Sequence, residues 1–353
     1  MLRLDISLPG QTYPLFFGRD LLTGAAFSEI AAFRKAAIVS DETVWALHGE
    51  RLTRALSARG IVFTSTVIPP GEQSKSLARV ERLYHAFHQF GLQRTDAVIA
   101  FGGGVVGDLA GFAAATYLRG VKFLQIPTTL LAQADAGVGG KVAVNLPEGK
   151  NLVGSFYQPV AVLADTAVLA SLPAREWQAG MAEVIKYAAL GERELYTLLS
   201  GGQAFSGALE RTVYLCCRCK AGYVEQDERD TGARMMLNFG HTFGHAIEKY
   251  YGFERYNHGE AVARGMMLAA RTGEALGVSE AGTARKLQVL LELCGVGWRL
   301  DGDVAALIPL MSSDKKNSGA ELSLVLLKRM GEPFLYRVSH ERLNEVWRGM
   351  LNE

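Results

Sequence analysis

Ala97-Val98-Ile99-Ala100-Phe101-Gly102-Gly103-Gly104-Val105-Val106-Gly107-Asp108 decides the reading of this chain. An apolar run without polar alternation reads as a strand buried on both faces. It runs straight into three glycines, and Val105 to Asp108 open a helical stretch. Glycines at such a turn let the backbone approach a pyrophosphate, and the first N–H groups of the helix bind it. The spacing is not the usual Gly-x-Gly-x-x-Gly, so a simple tight turn stays open beside the nucleotide reading.

The flanking sequence repeats the alternation. Residues 36–40 (AAIVS) read as a strand, followed by a helix to Ser57 and a strand at 61–68 (IVFTSTVI). Residues 76–91 have helical spacing and end at Gly91. Further strands fall at 121–129 (VKFLQIPTT) and 160–165 (VAVLAD). Strands separated by helices imply an open parallel α/β sheet. After about Pro173 five stretches, from PAREWQAGMAEVIKYAAL to EAGTARKLQVLLELCG, carry helical spacing instead. A late run at 321–329 pairs with 334–338 as a small strand pair. The expectation is an α/β Rossmann-like domain over 1–172 and a mostly α-helical domain over 173–353. A ligand is expected in the cleft between them, near the C-terminal ends of the strands.

The totals narrow the function. A length of 353 residues suits two domains, and 49% hydrophobic residues supply two cores. A net charge of +1 gives no global case for nucleic acid, so an anionic ligand needs a local cluster of Lys and Arg. No apolar run reaches membrane-span length, and Asp5 and Pro9 stand where a signal peptide is apolar. Cys216, Cys217 and Cys219 crowd together without zinc-ribbon spacing, and Cys294 stands apart. They read as reduced thiols of a cytoplasmic protein.

Several segments carry chemistry. Glu72 and Lys75 lie three apart after Pro70-Gly71 and could hold a ribose, or could cap a helix. Asp135 to Lys141 and Gly149-Lys150-Asn151 read as glycine-rich loops whose lysines suit phosphate, or as solvated turns. Glu183 sits in an otherwise apolar helix and needs a partner, either a metal ion or Lys186 one turn on. Lys220, Arg234 and Asp314-Lys315-Lys316-Asn317 add positive charge. Three of the seven histidines, His241, His245 and His258, fall within eighteen residues. Spacing alone pairs His241 with His245 on one helix face as metal ligands.

Taken in register from about residue 10 to 345, the segments GEQSKS, GGGVVGDLAGFAAATYLRG, IPTTLLAQ, VGGK, GKNLVGSFYQP, AGMAEVIKY, NFGHTFGHAIE, NHGEAV and DKK resemble the 3-dehydroquinate synthases. These are sugar-phosphate cyclases of the shikimate pathway. The resemblance implies Glu183, His241 and His258 as ligands of zinc or cobalt, and moves His245 into the substrate pocket. It implies NAD contacts from Asp41, Glu72, Lys75, Gly103, Gly104, Val105 and Asp108. Thr128, Thr129, Lys141, Lys150, Ser171, Leu172 and Glu176 join them. Substrate contacts are implied for Asp135, Lys141, Asn151, Lys186, Lys220, Arg234, Asn238 and His245. Lys315 and Lys316 are implied at the phosphate, and Arg119 reaches into the neighbouring subunit of a homodimer.

The implied reaction converts 3-deoxy-D-arabino-heptulosonate 7-phosphate, a small phosphorylated keto acid, to 3-dehydroquinate and phosphate. It proceeds by transient NAD-dependent oxidation, β-elimination of phosphate, re-reduction, ring opening and intramolecular aldol closure. Two residues depart from the family pattern. Ala136 stands where the family has Ser, and Val142 where it has Thr, each removing a hydroxyl. Competing readings are another sugar-phosphate cyclase (amino-dehydroquinate or valiolone type), a metal-dependent polyol dehydrogenase, and a non-catalytic NAD-binding scaffold. The Lys220/Arg234 pair favours a carboxylate-bearing substrate over a neutral heptulose phosphate.

Overall fold

The computed structural model describes residues 1–23, 30, 33–201, 207–302, 304–311 and 321–350. They form two compact units, Met1–Pro173 and Ala174–Glu353.

In the first unit a seven-stranded sheet has the order β1-β2-β9-β6-β5-β3-β4. The strands are β1 (Leu2–Leu8), β2 (Gln11–Gly18), β3 (Lys35–Asp41), β4 (Val62–Ile68), β5 (Ala97–Gly102), β6 (Lys122–Pro127) and β9 (Ala161–Asp165). From β2 to β4 every neighbouring pair is parallel. All six residues of central β5 are buried, as its unbroken apolar run demands. The helices are α1 (Glu42–Ser57), α2 (Leu77–Phe90) and α3 (Gly104–Thr116). Ser76 caps α2 by accepting the Arg79 N–H, and Gly91 ends it in the left-handed conformation.

Two hairpins depart from the sequence reading. β1 and β2 pair antiparallel, Leu2 opposite Phe17, and add an edge to the otherwise parallel sheet. Lys141 and Gly149-Lys150-Asn151, expected in loops, instead lie in β7 (Lys141–Leu146) and β8 (Gly149–Phe156), an antiparallel pair, while Gly137 to Gly140 form the expected turn. The cause is burial on one face: Val142 and Val144 are 2% and 0% exposed and join the core with Phe123 and Leu109. Val142 is therefore a core residue.

The second unit is built on α4 (Ala174–Ala189), α5 (Arg193–Ser200), α6 (Leu209–Gln226), α7 (His241–Tyr250), α8 (His258–Ala275), α9 (Thr283–Leu293) and α10 (His340–Met350). The expected late strand pair is present as β10 (Glu321–Leu327) and β11 (Pro333–Ser339), antiparallel. Eleven residues of α4 are buried, Ala179 to Ala189 without a break, so α4 is a core helix. Among the described residues no helix is long and apolar enough to cross a membrane.

Candidate functional site

In the first unit the expected cofactor residues gather just beyond the C-terminal ends of parallel strands, where open α/β sheets bind ligands. Asp41 ends β3 and caps α1 by accepting the Val44 N–H at 3.0 Å. Gly103 is the N-cap of α3, so Gly104 and Val105 lie in its first turn, whose N–H groups no intrahelical carbonyl can reach. Glycines keep this turn open: a Cβ on Gly103 would stand 3.1 Å from the Thr129 methyl. Gly102, Gly103, Gly104, Gly107, Ala136 and Gly137 line a small recess there. Thr128 follows β6, is 5% exposed, and its hydroxyl has no hydrogen-bond partner among the described residues. A small-residue recess with an unpartnered buried hydroxyl beside a helix N-terminus fits the phosphates of a dinucleotide.

Beside it runs a charged network. Lys75, 4% exposed, places Nζ 2.6 Å from Asp108 Oδ2, 2.6 Å from Asn151 Oδ1 and 3.5 Å from Glu72 Oε1. Burial pulls the Lys75 ammonium down, but Asp108 and Glu72 outweigh it and hold its pKa above the ordinary value. Asn145 ties the network to the hairpin. Its Nδ2 donates to Glu72 Oε1 at 2.8 Å, its Oδ1 accepts the Asn151 N–H at 2.8 Å, and its own N–H donates to the Lys75 carbonyl at 2.8 Å. Sequence reasoning did not single out Asn145, since nothing in its neighbourhood marks it.

The other expected residues of this unit are more dispersed. Ser171 Oγ lies 2.8 Å from His48 Nε2, and Leu172 follows it. Asp135 lies in a π-helical turn, Ala132–Ala136, and Thr129 Oγ1 accepts the Ala132 N–H at 3.1 Å. Lys141 begins β7 and is exposed, and Lys150 lies in β8. Arg119 is exposed in a short turn where Leu118 and Arg119 hold φ of 50° and 65°.

In the second unit the structure brings together Glu183, His241 and His258. Glu183, 1% exposed on α4, has Oε1 3.5 Å from His241 Nε2 and 3.7 Å from His258 Nε2. Its Oε2 lies 2.5 Å from Lys186 Nζ, the ion-pair partner that the sequence allowed, while Oε1 faces the two imidazoles. Two donors on one tetrahedral zinc stand ~3.4 Å apart, from bonds of ~2.0–2.1 Å. The three residues therefore already have the spacing of a metal triad, and they fit the ion.

Each histidine is set by its helix. His241 is the first residue of α7, after Gly240 at φ 80°, and its Nδ1 lies 3.2 Å from the Phe239 carbonyl. His258 is the first residue of α8, between the Asn257 and Glu260 of a capping box. Arg175 on α4 grips the Glu260 carboxylate at 3.0 and 2.8 Å. Desolvation pulls the His258 imidazole down, and Glu248 and Glu183 outweigh it, so its pKa is raised. His245 is exposed on α7, its ring 5.7 Å from that of His241 and 6.1 Å from that of His258. His245, Glu248 and His258 form a second group of closely spaced donors.

Lys220 on α6 and Arg234 are 7% and 2% exposed, burial that cations accept only with partners. Arg234 Nη1 donates to the Glu228 carbonyl at 2.7 Å, and the turn before it is held by Asp227. That carboxylate accepts N–H groups of Thr231, Gly232 and Arg234 at 3.0, 2.6 and 3.1 Å. Asn238 donates to the Met235 carbonyl at 3.0 Å, and Glu176 is exposed in the first turn of α4. Burial pushes the Cys219 thiol up to about 12 and the Cys294 thiol up to about 11, so both stay protonated near neutral pH. Lys315 and Lys316 lie outside the described residues.

Fold and donor set thus define an α/β unit with a dinucleotide-type glycine turn and a helical unit with a carboxylate–histidine cluster that could hold a metal ion. Residues 65–179 match the family model for the 3-dehydroquinate synthase N-terminal region, and 180–317 that for the C-terminal region. The 3-dehydroquinate synthase of Neisseria meningitidis serogroup A is 46% identical over 341 residues, covering 94% of each chain. The chain belongs to the 3-dehydroquinate synthase family. Among solved structures, a 2-deoxy-scyllo-inosose synthase complexed with carbaglucose-6-phosphate, NAD+ and Co2+ aligns with a TM-score of 0.88 at 27% identity over 99% of each chain. A 2-epi-5-epi-valiolone synthase from Streptomyces hygroscopicus, with NAD+ and Zn2+, aligns with a TM-score of 0.86 at 26% identity over 98% of each. The α/β-plus-helical fold expected from the sequence is borne out, and so is the family.

Proposed function

We propose that the chain converts 3-deoxy-D-arabino-heptulosonate 7-phosphate to 3-dehydroquinate and inorganic phosphate, using NAD+ and one zinc or cobalt ion. The observation that carries this reading is the Glu183 carboxylate facing both imidazoles at ligand spacing, beside Lys186. When bound, NAD+ supplies a hydride acceptor that is restored within the turnover, and the divalent ion supplies a Lewis acid at the substrate hydroxyls.

The chain's own residues do the rest. Glu183, His241 and His258 hold the ion, and Lys186 steadies the carboxylate from its other oxygen. The first-turn N–H groups of α3 and the Thr128 hydroxyl receive the dinucleotide phosphates. Asp41, Glu72, Lys75 and Asp108 hold its sugars, with Ser171, Leu172 and Glu176 as outer contacts. Lys220 and Arg234 take the substrate carboxylate, as two buried cations suit. Lys150 contacts the cofactor; Lys141, Asn151, Lys315 and Lys316 take the phosphate, and Asp135, Asn238 and His245 meet the hydroxyls, His245 holding or passing a proton at its imidazole.

An assay with the heptulosonate phosphate and NAD+, read by phosphate release, tests this. Release is expected, abolished by chelator and without NADH accumulation. Steady NADH build-up would sink the cyclase reading in favour of a dehydrogenase.

We further propose a homodimer in the cytoplasm, with Arg119 serving the neighbouring site. Two consecutive non-glycine residues in the left-handed region, Leu118 and Arg119, support it, because such strain clusters where a side chain must be aimed. Mixing Arg119→Ala subunits with Lys220→Ala subunits should restore part of the activity. No rescue under proven subunit exchange would refute the shared site.

A further inference from the structure

His258 faces a carboxylate from each ring nitrogen. Nε2 lies 3.7 Å from Glu183 Oε1, and Nδ1 lies 3.6 Å from Glu248 Oε2. His241 is arranged in the same sense, with Nε2 toward Glu183 at 3.5 Å and Nδ1 toward the Phe239 carbonyl at 3.2 Å. In both rings the nitrogen opposite the triad meets an acceptor. Glu248 is 5% exposed on α7, on the same helix face as His241 and His245, seven and three residues before it. A carboxylate costs free energy in such a place unless a partner uses its charge.

We propose that Glu248 is a positioning residue for the metal centre: its carboxylate accepts the Nδ1–H of His258, fixes the ring, and leaves the Nε2 lone pair for the ion. This rests on the metal reading above. Acceptors on the far nitrogen of a ligating histidine set its tautomer and raise its basicity. The 3.6 Å separation is a few tenths of an ångström beyond hydrogen-bond length. The His258 side chain is 38% exposed, so it has room to close that gap by rotation. The competing role is as a ligand, since His245, Glu248 and His258 also cluster. An ion there would take Nδ1 while the first ion holds Nε2, and the ring would have to shed its remaining N–H proton. The positioning role asks for no such loss.

The test uses the full chain with Zn2+ as probe. Wild type, Glu248→Gln, Glu248→Ala and His241→Ala are compared for zinc stoichiometry, for affinity by chelator competition, and for melting of the metal-free protein. Expected are one zinc per wild-type chain and about 10–100-fold weaker binding in Glu248→Ala, with a smaller loss in Glu248→Gln, which keeps an acceptor. Metal-free melting should be unchanged in Glu248→Gln, and saturating zinc should restore turnover in both variants. Affinity within twofold of wild type in both Glu248 variants would overturn the proposal. So would affinity losses that follow melting in both, or two zinc ions in wild type and one in Glu248→Ala. If His241→Ala binds zinc as tightly as wild type, the metal reading itself fails and takes this inference with it. A normal loss in His241→Ala alongside unaffected Glu248 variants fails only the inference.

Discussion

Gly259 is packed onto Ala179: a Cβ at 259 would overlap the Ala179 carbonyl oxygen and stand 2.6 Å from its carbonyl carbon. Gly259 follows His258 on α8, and Ala179 lies one turn before Glu183 on α4. Backbone contact between these helices therefore sets the Glu183–His258 spacing. Gly259→Ala is expected to cost about 1–3 kcal/mol by overpacking and to lower zinc content together with stability. Melting and metal analysis on one preparation check this. A destabilised variant with full zinc would show that the contact does not govern the spacing.

Lys75 pins hairpin β7–β8 through Asn151 and reaches Asp108 on α3. Lys75→Met should destabilise by about 2–3 kcal/mol, less than for a fully buried pair because Asp108 keeps 24% of its side chain in solvent. The raised Lys75 pKa fixes the pH behaviour. Its contribution is complete below the ordinary lysine value and fades only as pH rises through the higher folded value. Urea unfolding of both proteins should give a constant gap from pH 6 to 9. A gap that changes inside that window would contradict the assignment.

His258 and His245 should separate on substitution. His258→Ala is expected to lose both zinc and activity. His245→Ala should keep zinc while turnover falls by about 10²–10⁴-fold, the range of a lost proton-handling group. Equal zinc loss in the two variants would mean that His245 is a ligand.

Asp227 should make the Arg234 turn sensitive to acid. Burial pushes its carboxyl up, but the N–H groups of Thr231, Gly232 and Arg234 outweigh it and hold the pKa below the usual range. Its contribution is present above the ordinary aspartate value of about 3.9 and is lost as pH falls through the lower folded value. Asp227→Asn should cost about 1 kcal/mol at neutral pH, with the gap level from pH 5 to 8 and shrinking below pH 4. A gap that widens in acid would reverse the sign and the explanation.

The sheet's centre and the long helices were legible because unbroken apolar runs and helical spacing are strong signals. The edge hairpin is legible in period two: Leu2, Leu4, Ile6 and Leu8 alternate before Pro9-Gly10. Hairpin β7–β8 was hidden by its glycines and lysines, while burial of only Val142 and Val144 fixes it. At the candidate metal triad, i,i+4 spacing favours His245 beside His241. The fold brings His258 in from the start of the next helix, a neighbour that no local pattern specifies. In the sequence Glu248 reads as one more acid on a helix, and only the fold shows it buried.

Both histidines proposed as metal ligands open their helices, His241 on α7 and His258 on α8. The positive ends of two peptide dipoles thus lie beside the proposed ion site. An ion there would be electron-poor for its ligand set. It would draw the oxygens of a bound polyol strongly and favour their deprotonated forms. The backbone itself would then make the centre a stronger electrophile than one carboxylate and two imidazoles suggest.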